Sequence, residues 1–139
     1  KRAGVTGKVI CLDYSEEGLK RAKAANLADE YIQADATDAV AVMDKIGKAT
    51  DGKMADVTIN IVNIPNTEMA SILITKDEGL VYFFSMATSF TKAALGAEGV
   101  GKDVDMVVGN GYTKGHAEIS LQIMRESKAL RDIFEKLYA

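Results

Sequence analysis

Tryptophan is absent from these 139 residues, and proline (Pro65), cysteine (Cys11) and histidine (His116) occur once each. A lone cysteine excludes an internal disulfide, and with a single histidine the chain lacks the soft ligands of an ordinary zinc site. Carboxylate-bound metal has no motif behind it, so no metal is expected. No apolar run approaches the roughly 20 residues that a membrane helix needs, and no charged segment followed by an apolar one opens the chain. A cytoplasmic protein without membrane contact is expected. Charge of one sign is scarce too: 17 Lys and Arg are interspersed among 20 Asp and Glu, for a net charge of -3. Without a basic stripe to neutralise phosphates, nucleic acid is not expected as a partner.

The chain does have a core: it is 47% hydrophobic and 27% charged, the balance of one globular domain, here spanning 1–139. Short β-branched runs alternate with segments of helical period, the pattern of stacked βαβ units. Strands are expected at Lys8–Asp13, Glu30–Asp35, Asp56–Val62, Leu80–Ser85 and Asp105–Val108. Ser15 caps the first helix, with Glu16 and Glu17 in its first turn and Leu19, Ala22 and Ala25 facing the sheet. Ala39, Val42, Met43 and Ile46 mark the next helix, and Pro65 with Asn66 opens a third. Between Met86 and Asp103 the glycines Gly96, Gly99 and Gly101 predict a short broken helix in a lid or crossing loop. The tail is helical, with Leu130, Ile133, Phe134 and Leu137 as its apolar stripe. The fold class is therefore α/β, a Rossmann-like, mainly parallel sheet with flanking helices.

In such sheets ligands bind beyond the carboxyl ends of the strands. The candidates are Asp13 with Tyr14, Asp35 with Ala36, Asn63 with Ile64, and Ser85 with Met86. Asp13 is suited to accept hydrogen bonds from a ribose diol, and its charge would favour NAD over NADP. Its alternative role is to cap the helix that opens at Ser15. Asp35 and Ala36 fit an adenine pocket, or Asp35 caps the next helix. Asn63, Ser85 and Met86 fit the ribose and nicotinamide half, or are turn residues at strand ends.

The glycine fingerprint for pyrophosphate lies about 20 residues before the ribose acid. With Asp13 as that acid, the fingerprint and its strand fall upstream of Lys1. Lys1 is not a start methionine, and Lys1–Gly4 reads as a helix end running into a turn, so an upstream portion is expected. Gly99–Gly101 and Gly109–Gly111 come too late to serve and read as turns. His116 has no partner at an informative spacing and reads as a surface or helix-start residue. Cys11 sits in a buried strand without a basic neighbour, as an inert apolar side chain. Ser85 is not in a nucleophile elbow, and Met54, Met69 and Met124 read as core filler.

The order of elements resembles the later part of the cofactor-binding domain of medium-chain, alcohol-dehydrogenase-like oxidoreductases. More closely, ADVTINIVNIPNTE (Ala55–Glu68), VYFFSMATSFTKAALGAEGVGKDVDMVVGNGY (Val81–Tyr112) and GHAE (Gly115–Glu118) resemble the L-erythro-3,5-diaminohexanoate dehydrogenase family. That resemblance implies NAD(P)-dependent oxidative deamination of a small-molecule substrate, 3,5-diaminohexanoate, to 5-amino-3-oxohexanoate and ammonia. It also implies the ribose role of Asp13, and for the strand Asp105–Val108 a homodimer contact, the alternative being an edge strand protected by its flanking charges Lys102, Asp103 and Asp105. It assigns no catalytic residue, and the chain lacks a separate catalytic domain.

Two rivals share the strand pattern. In an S-adenosylmethionine-dependent methyltransferase, an acid after the second strand also grips a ribose, and QADATD (Gln33–Asp38) resembles its adenine segment; that fold should end in an antiparallel hairpin. A non-catalytic nucleotide sensor would differ in its neighbouring sequence.

Overall fold

The computed structural model describes residues 6–109 and 112–139. In chain order the elements are β1 (Ile10–Asp13), α1 (Glu16–Ala24), β2 (Glu30–Gln33), α2 (Ala39–Ala49), β3 (Ala55–Asn60), α3 (Glu68–Leu73), β4 (Thr75–Phe83), α4 (Phe90–Gly99), β5 (Val104–Val108), α5 (His116–Glu126) and α6 (Lys128–Tyr138). Every strand pairing is parallel, in a two-stranded sheet β1-β2 and a three-stranded sheet β3-β4-β5. Helices separate successive strands, so the expected Rossmann-like α/β class holds. The chain divides into two compact units, Lys1–Gln33 with Tyr112–Ala139, and Ala34–Gly111.

In the first unit β1 and β2 run in register from Ile10 opposite Glu30 to Asp13 opposite Gln33. The crossover helix α1 begins where the sequence reading puts it. Ser15 Oγ accepts the Gly18 N–H at 3.1 Å, satisfying a donor that the first turn would leave unpaired. Glu16 pairs with Lys20 at 2.8 Å, and Leu19 is buried. Past α1, Asn26 takes a left-handed turn at φ 52°. The Tyr31 hydroxyl then accepts from Ala28 N at 2.9 Å and donates to Ala22 O at 3.3 Å, tying the end of α1 to β2.

The tail is helical, as expected, but it is two helices broken at Ser127. That residue has extended backbone, φ -112° and ψ 102°, and its hydroxyl accepts the Leu130 N–H at 3.3 Å. Serine side chains compete with the helix for backbone donors, and here that competition starts a new helix. Arg131 Nη1 closes the old one by donating to the carbonyls of Met124 and Arg125 at 2.6 and 2.8 Å.

In the second unit Thr58, Val81 and Met106 align across β3, β4 and β5. Ile72, Val81, Phe83, Ala93 and Ala97 are the core, with Val104 and Met106 packed against it, so α3 and α4 cover this face. The next row, Ile59, Tyr82 and Val107, lies on the other face, where Ile59 is 63% exposed.

α3 starts at Glu68, with Pro65 and Asn66, expected to open it, in the turn before it, and two further elements differ more from the sequence reading. β4 begins at Thr75, before the expected Leu80, and includes an irregularity: Ala55 pairs with Thr75, but Val57 pairs with Leu80. The charged run Lys76–Glu78 looks like a turn because it loops outward and is exposed, whereas Thr75 is buried with its hydroxyl 2.7 Å from both Ser71 O and Thr58 Oγ1. Secondly, α4 is an unbroken helix of 10 residues with Gly96 and Gly99 inside it, where a broken helix in a lid or crossing loop was expected. Glycine costs a helix about 1 kcal/mol, which burial of Ala93 and Ala97 outweighs. Gly96 also allows close packing, since a Cβ there would lie 2.9 Å from Met69 Cε. The glycine that does end α4 is Gly101, at φ 65°. Of the expected Gly109–Gly111 turn, residues 110 and 111 lie outside the described residues, as does the expected turn at Lys1–Gly4.

Candidate functional site

Asp13 ends β1 and is half-buried; Tyr14, next to it, is 72% exposed. The two oxygens of Asp13 have different surroundings. Oδ1 accepts the backbone N–H of Ser15 at 2.8 Å and shapes the turn after β1; the cap of α1 is Ser15 itself, so Asp13 does not cap that helix, the alternative role expected for it. Oδ2 lies beside Gly18, where a Cβ would approach to 2.7 Å. The missing side chain at 18 is what leaves this oxygen its place. The Tyr14 carbonyl accepts from Gln33 Nε2 at 3.0 Å, which ties the turn after β1 to the end of β2. Sequence reasoning missed Gln33, because a polar residue closing a strand looks like any exposed position. A carboxylate at the carboxyl end of a parallel strand, with one oxygen held by the backbone, is a candidate acceptor for a ribose diol.

The other candidates belong to the second unit. Asp35 is exposed, and its Oδ1 accepts both the Thr37 N–H at 2.9 Å and the Thr37 hydroxyl at 2.7 Å. That hydroxyl, and then the N–H, hold the Asp35 carboxyl below its ordinary range. The cap of α2 is Asp38, which accepts from Ala41 N at 3.0 Å, so Asp35 shapes the preceding turn and does not cap the helix. Ala36 is half-buried in that turn.

Asn63 is exposed in the loop after β3, whereas Ser85 and Met86 follow β4, the adjacent parallel strand. The fold therefore brings these three to one end of one sheet. Met86 is 98% exposed. Ser85 Oγ accepts the Ala87 N–H at 3.1 Å, a turn contact, and Phe84 N donates to Asn60 O at 2.8 Å. Beneath the loop lies a buried polar cluster that sequence reasoning also missed. Asn60 Nδ2 donates to Thr67 Oγ1 and Ser71 Oγ, both at 2.9 Å, and its Oδ1 accepts from Val62 N at 3.1 Å. A buried amide is stable only with such partners. The spacing of Asn60, Thr67 and Ser71 is the signal that could have found the cluster.

Cys11 is half-buried, and burial, with a smaller push from the Asp13 carboxylate, raises its thiol above the ordinary value. His116 is exposed and opens α5, with Nδ1 2.7 Å from Thr113 O and its ring edge-on to Tyr112. His116 matches its sequence reading, whereas Cys11, expected in a buried strand, lies in one that is half-buried throughout. Among the described residues no group of three or more His, Cys, Asp or Glu could hold a metal ion, and no helix is long and apolar enough to cross a membrane.

All-parallel strands joined through helices, with acids and hydroxyls beyond their carboxyl ends, make this a Rossmann-like α/β chain. Its kin are more particular. It is 56% identical over 138 residues to the L-erythro-3,5-diaminohexanoate dehydrogenase of Acetoanaerobium sticklandii, and 51% identical over 140 residues to the enzyme of that name from Fusobacterium nucleatum. The similarity covers 99% of this chain, beyond the three stretches that first suggested it, and the chain spans 40% of the length of each relative. It is a homologue of a segment of these dehydrogenases. No family model matches it.

Proposed function

We propose that the chain is the partial cofactor-binding domain of an NAD(P)-dependent dehydrogenase that deaminates L-erythro-3,5-diaminohexanoate oxidatively in lysine fermentation. The observation that carries this reading is the 56% identity, over 99% of the chain, to a relative named for that substrate.

Nicotinamide, when bound, supplies the hydride acceptor. Asp13 accepts hydrogen bonds from the ribose hydroxyls, oriented by Ser15 N–H and left room by Gly18. Its negative charge opposes a 2′-phosphate, so NAD is favoured over NADP. Asp35 and Ala36 line the adenine end, and Tyr14 flanks the ribose acid. Asn63, Ser85 and Met86 serve the ribose and nicotinamide half. The substrate loses hydride from its amine-bearing carbon and a proton from nitrogen, and water converts the resulting imine to 5-amino-3-oxohexanoate and ammonia. No residue of this chain is assigned to that chemical step. The protein acts in the cytoplasm and pairs with a second copy along β5, where Val107 is 44% exposed.

Full-length protein incubated with L-erythro-3,5-diaminohexanoate and NAD should form NADH and ammonia in equal amounts. No NADH, from protein that is folded by circular dichroism, would dispose of this reading.

A further inference from the structure

A glutamate is almost never fully buried unless it is paired, yet Glu68 is 3% exposed, at the first position of α3. Its carboxyl reaches across to the segment after β4, where Oε1 accepts the backbone N–H of Ser89 at 2.7 Å. Ser89 is the cap of α4, and its own hydroxyl accepts the Lys92 N–H at 3.4 Å. Glu68 therefore holds the residue at which the Ser85–Ser89 turn ends and α4 begins. The start of that turn is held separately, by Phe84 N–H on Asn60 O at 2.8 Å. At the surface, Lys92 Nζ donates to Asn66 Oδ1, a second tie between the loop before α3 and the start of α4. Thr67, adjacent to Glu68, is fixed by the Asn60 amide. The glutamate is thus anchored at its backbone and committed at its carboxyl. An apolar side chain could fill the same volume, but it could not grip Ser89.

We propose that Glu68 is a positioning residue, one that sets the Ser85–Ser89 turn so that Ser85 and Met86 face the nicotinamide half of the cofactor. The aim at nicotinamide rests on the cofactor reading above; the grip on the turn does not.

The test uses full-length protein and the variants Glu68→Ala and Glu68→Gln, since glutamine keeps an acceptor oxygen for Ser89. Hydrogen exchange across Ser85–Ser89 should quicken in the alanine variant and return toward the parent rate in the glutamine variant. In calorimetry, the alanine variant should lose affinity for NAD, by up to about tenfold, the limit reached when binding must re-order the whole of what that hydrogen bond held. Affinity for AMP, which lacks the nicotinamide half, should not change, whereas general misfolding would weaken both. Glutamine should restore NAD binding. Unchanged exchange in the alanine variant overturns the grip itself. Equal losses for NAD and AMP, or none for either, overturn its aim. If the parent binds no NAD at all, the cofactor reading falls and the aim with it, while hydrogen exchange still decides whether Glu68 holds the turn.

Discussion

The two oxygens of Asp13 are set apart by their neighbours, Ser15 N–H beside Oδ1 and Gly18 beside Oδ2. Oδ1 belongs to Ser15 N–H, so Asp13→Ala should cost about 1 kcal/mol in a denaturant titration, the usual net loss when one hydrogen bond goes. The same variant should lose NAD affinity. Gly18→Ala separates the two effects. Alanine favours the helix by roughly 1 kcal/mol, while its Cβ, placed 2.7 Å from Oδ2, forces the carboxylate aside. Thermal stability should hold or rise as NAD affinity falls; unchanged affinity would remove Asp13 from the ribose site. At this scale the sequence disclosed where Asp13 stands, because an apolar strand, an acid and a capped helix follow in order. It did not disclose how the oxygens divide, since that depends on a neighbour with no side chain. Gln33 and Glu68 were hidden for a related reason: a polar residue shows its importance only through the backbone group it reaches.

Turns and helix ends follow local rules, and those rules account for what could be read of the elements. α1 was legible because its cap, its first-turn acids and its i,i+4 pairs all agree. α4 was not, because a glycine that permits close packing looks the same in sequence as one that breaks a helix. The contrast is testable with two alanine substitutions. At Gly79 a Cβ would meet Lys76 O at 2.8 Å and Asp56 O at 3.1 Å, backbone atoms that cannot easily yield. Gly79→Ala should cost about 1–3 kcal/mol by chemical denaturation. At Gly96 the first atom met is the flexible Met69 Cε, so Gly96→Ala should cost far less; equal costs would contradict this account. The turn before α2 depends on pH. Because Thr37 lowers the Asp35 carboxyl, the stability from this contact is present above the ordinary carboxylate range and is lost as pH falls through the lowered value. Removing the hydroxyl with Thr37→Ala should raise the Asp35 titration midpoint seen by NMR.

For the molecule as a whole, strand-helix alternation disclosed the class, since only a parallel sheet accommodates it. The proposed substrate was not legible in any physical pattern and entered through family resemblance, as expected where one fold serves many chemistries. The proposed pairing along β5 predicts that Val107→Asp converts the full-length protein to a smaller species in sedimentation velocity; a species of unchanged size would rule that edge out. The open face of the three-stranded sheet has a practical consequence. Val57 and Ile59 of β3, and Ile61 just past its end, are 52%, 63% and 69% exposed, and Phe84, just past β4, is 48% exposed. A recombinant product of these 139 residues alone should light up hydrophobic dyes and clump as it is concentrated. Mild detergent in the purification buffer should keep it dispersed.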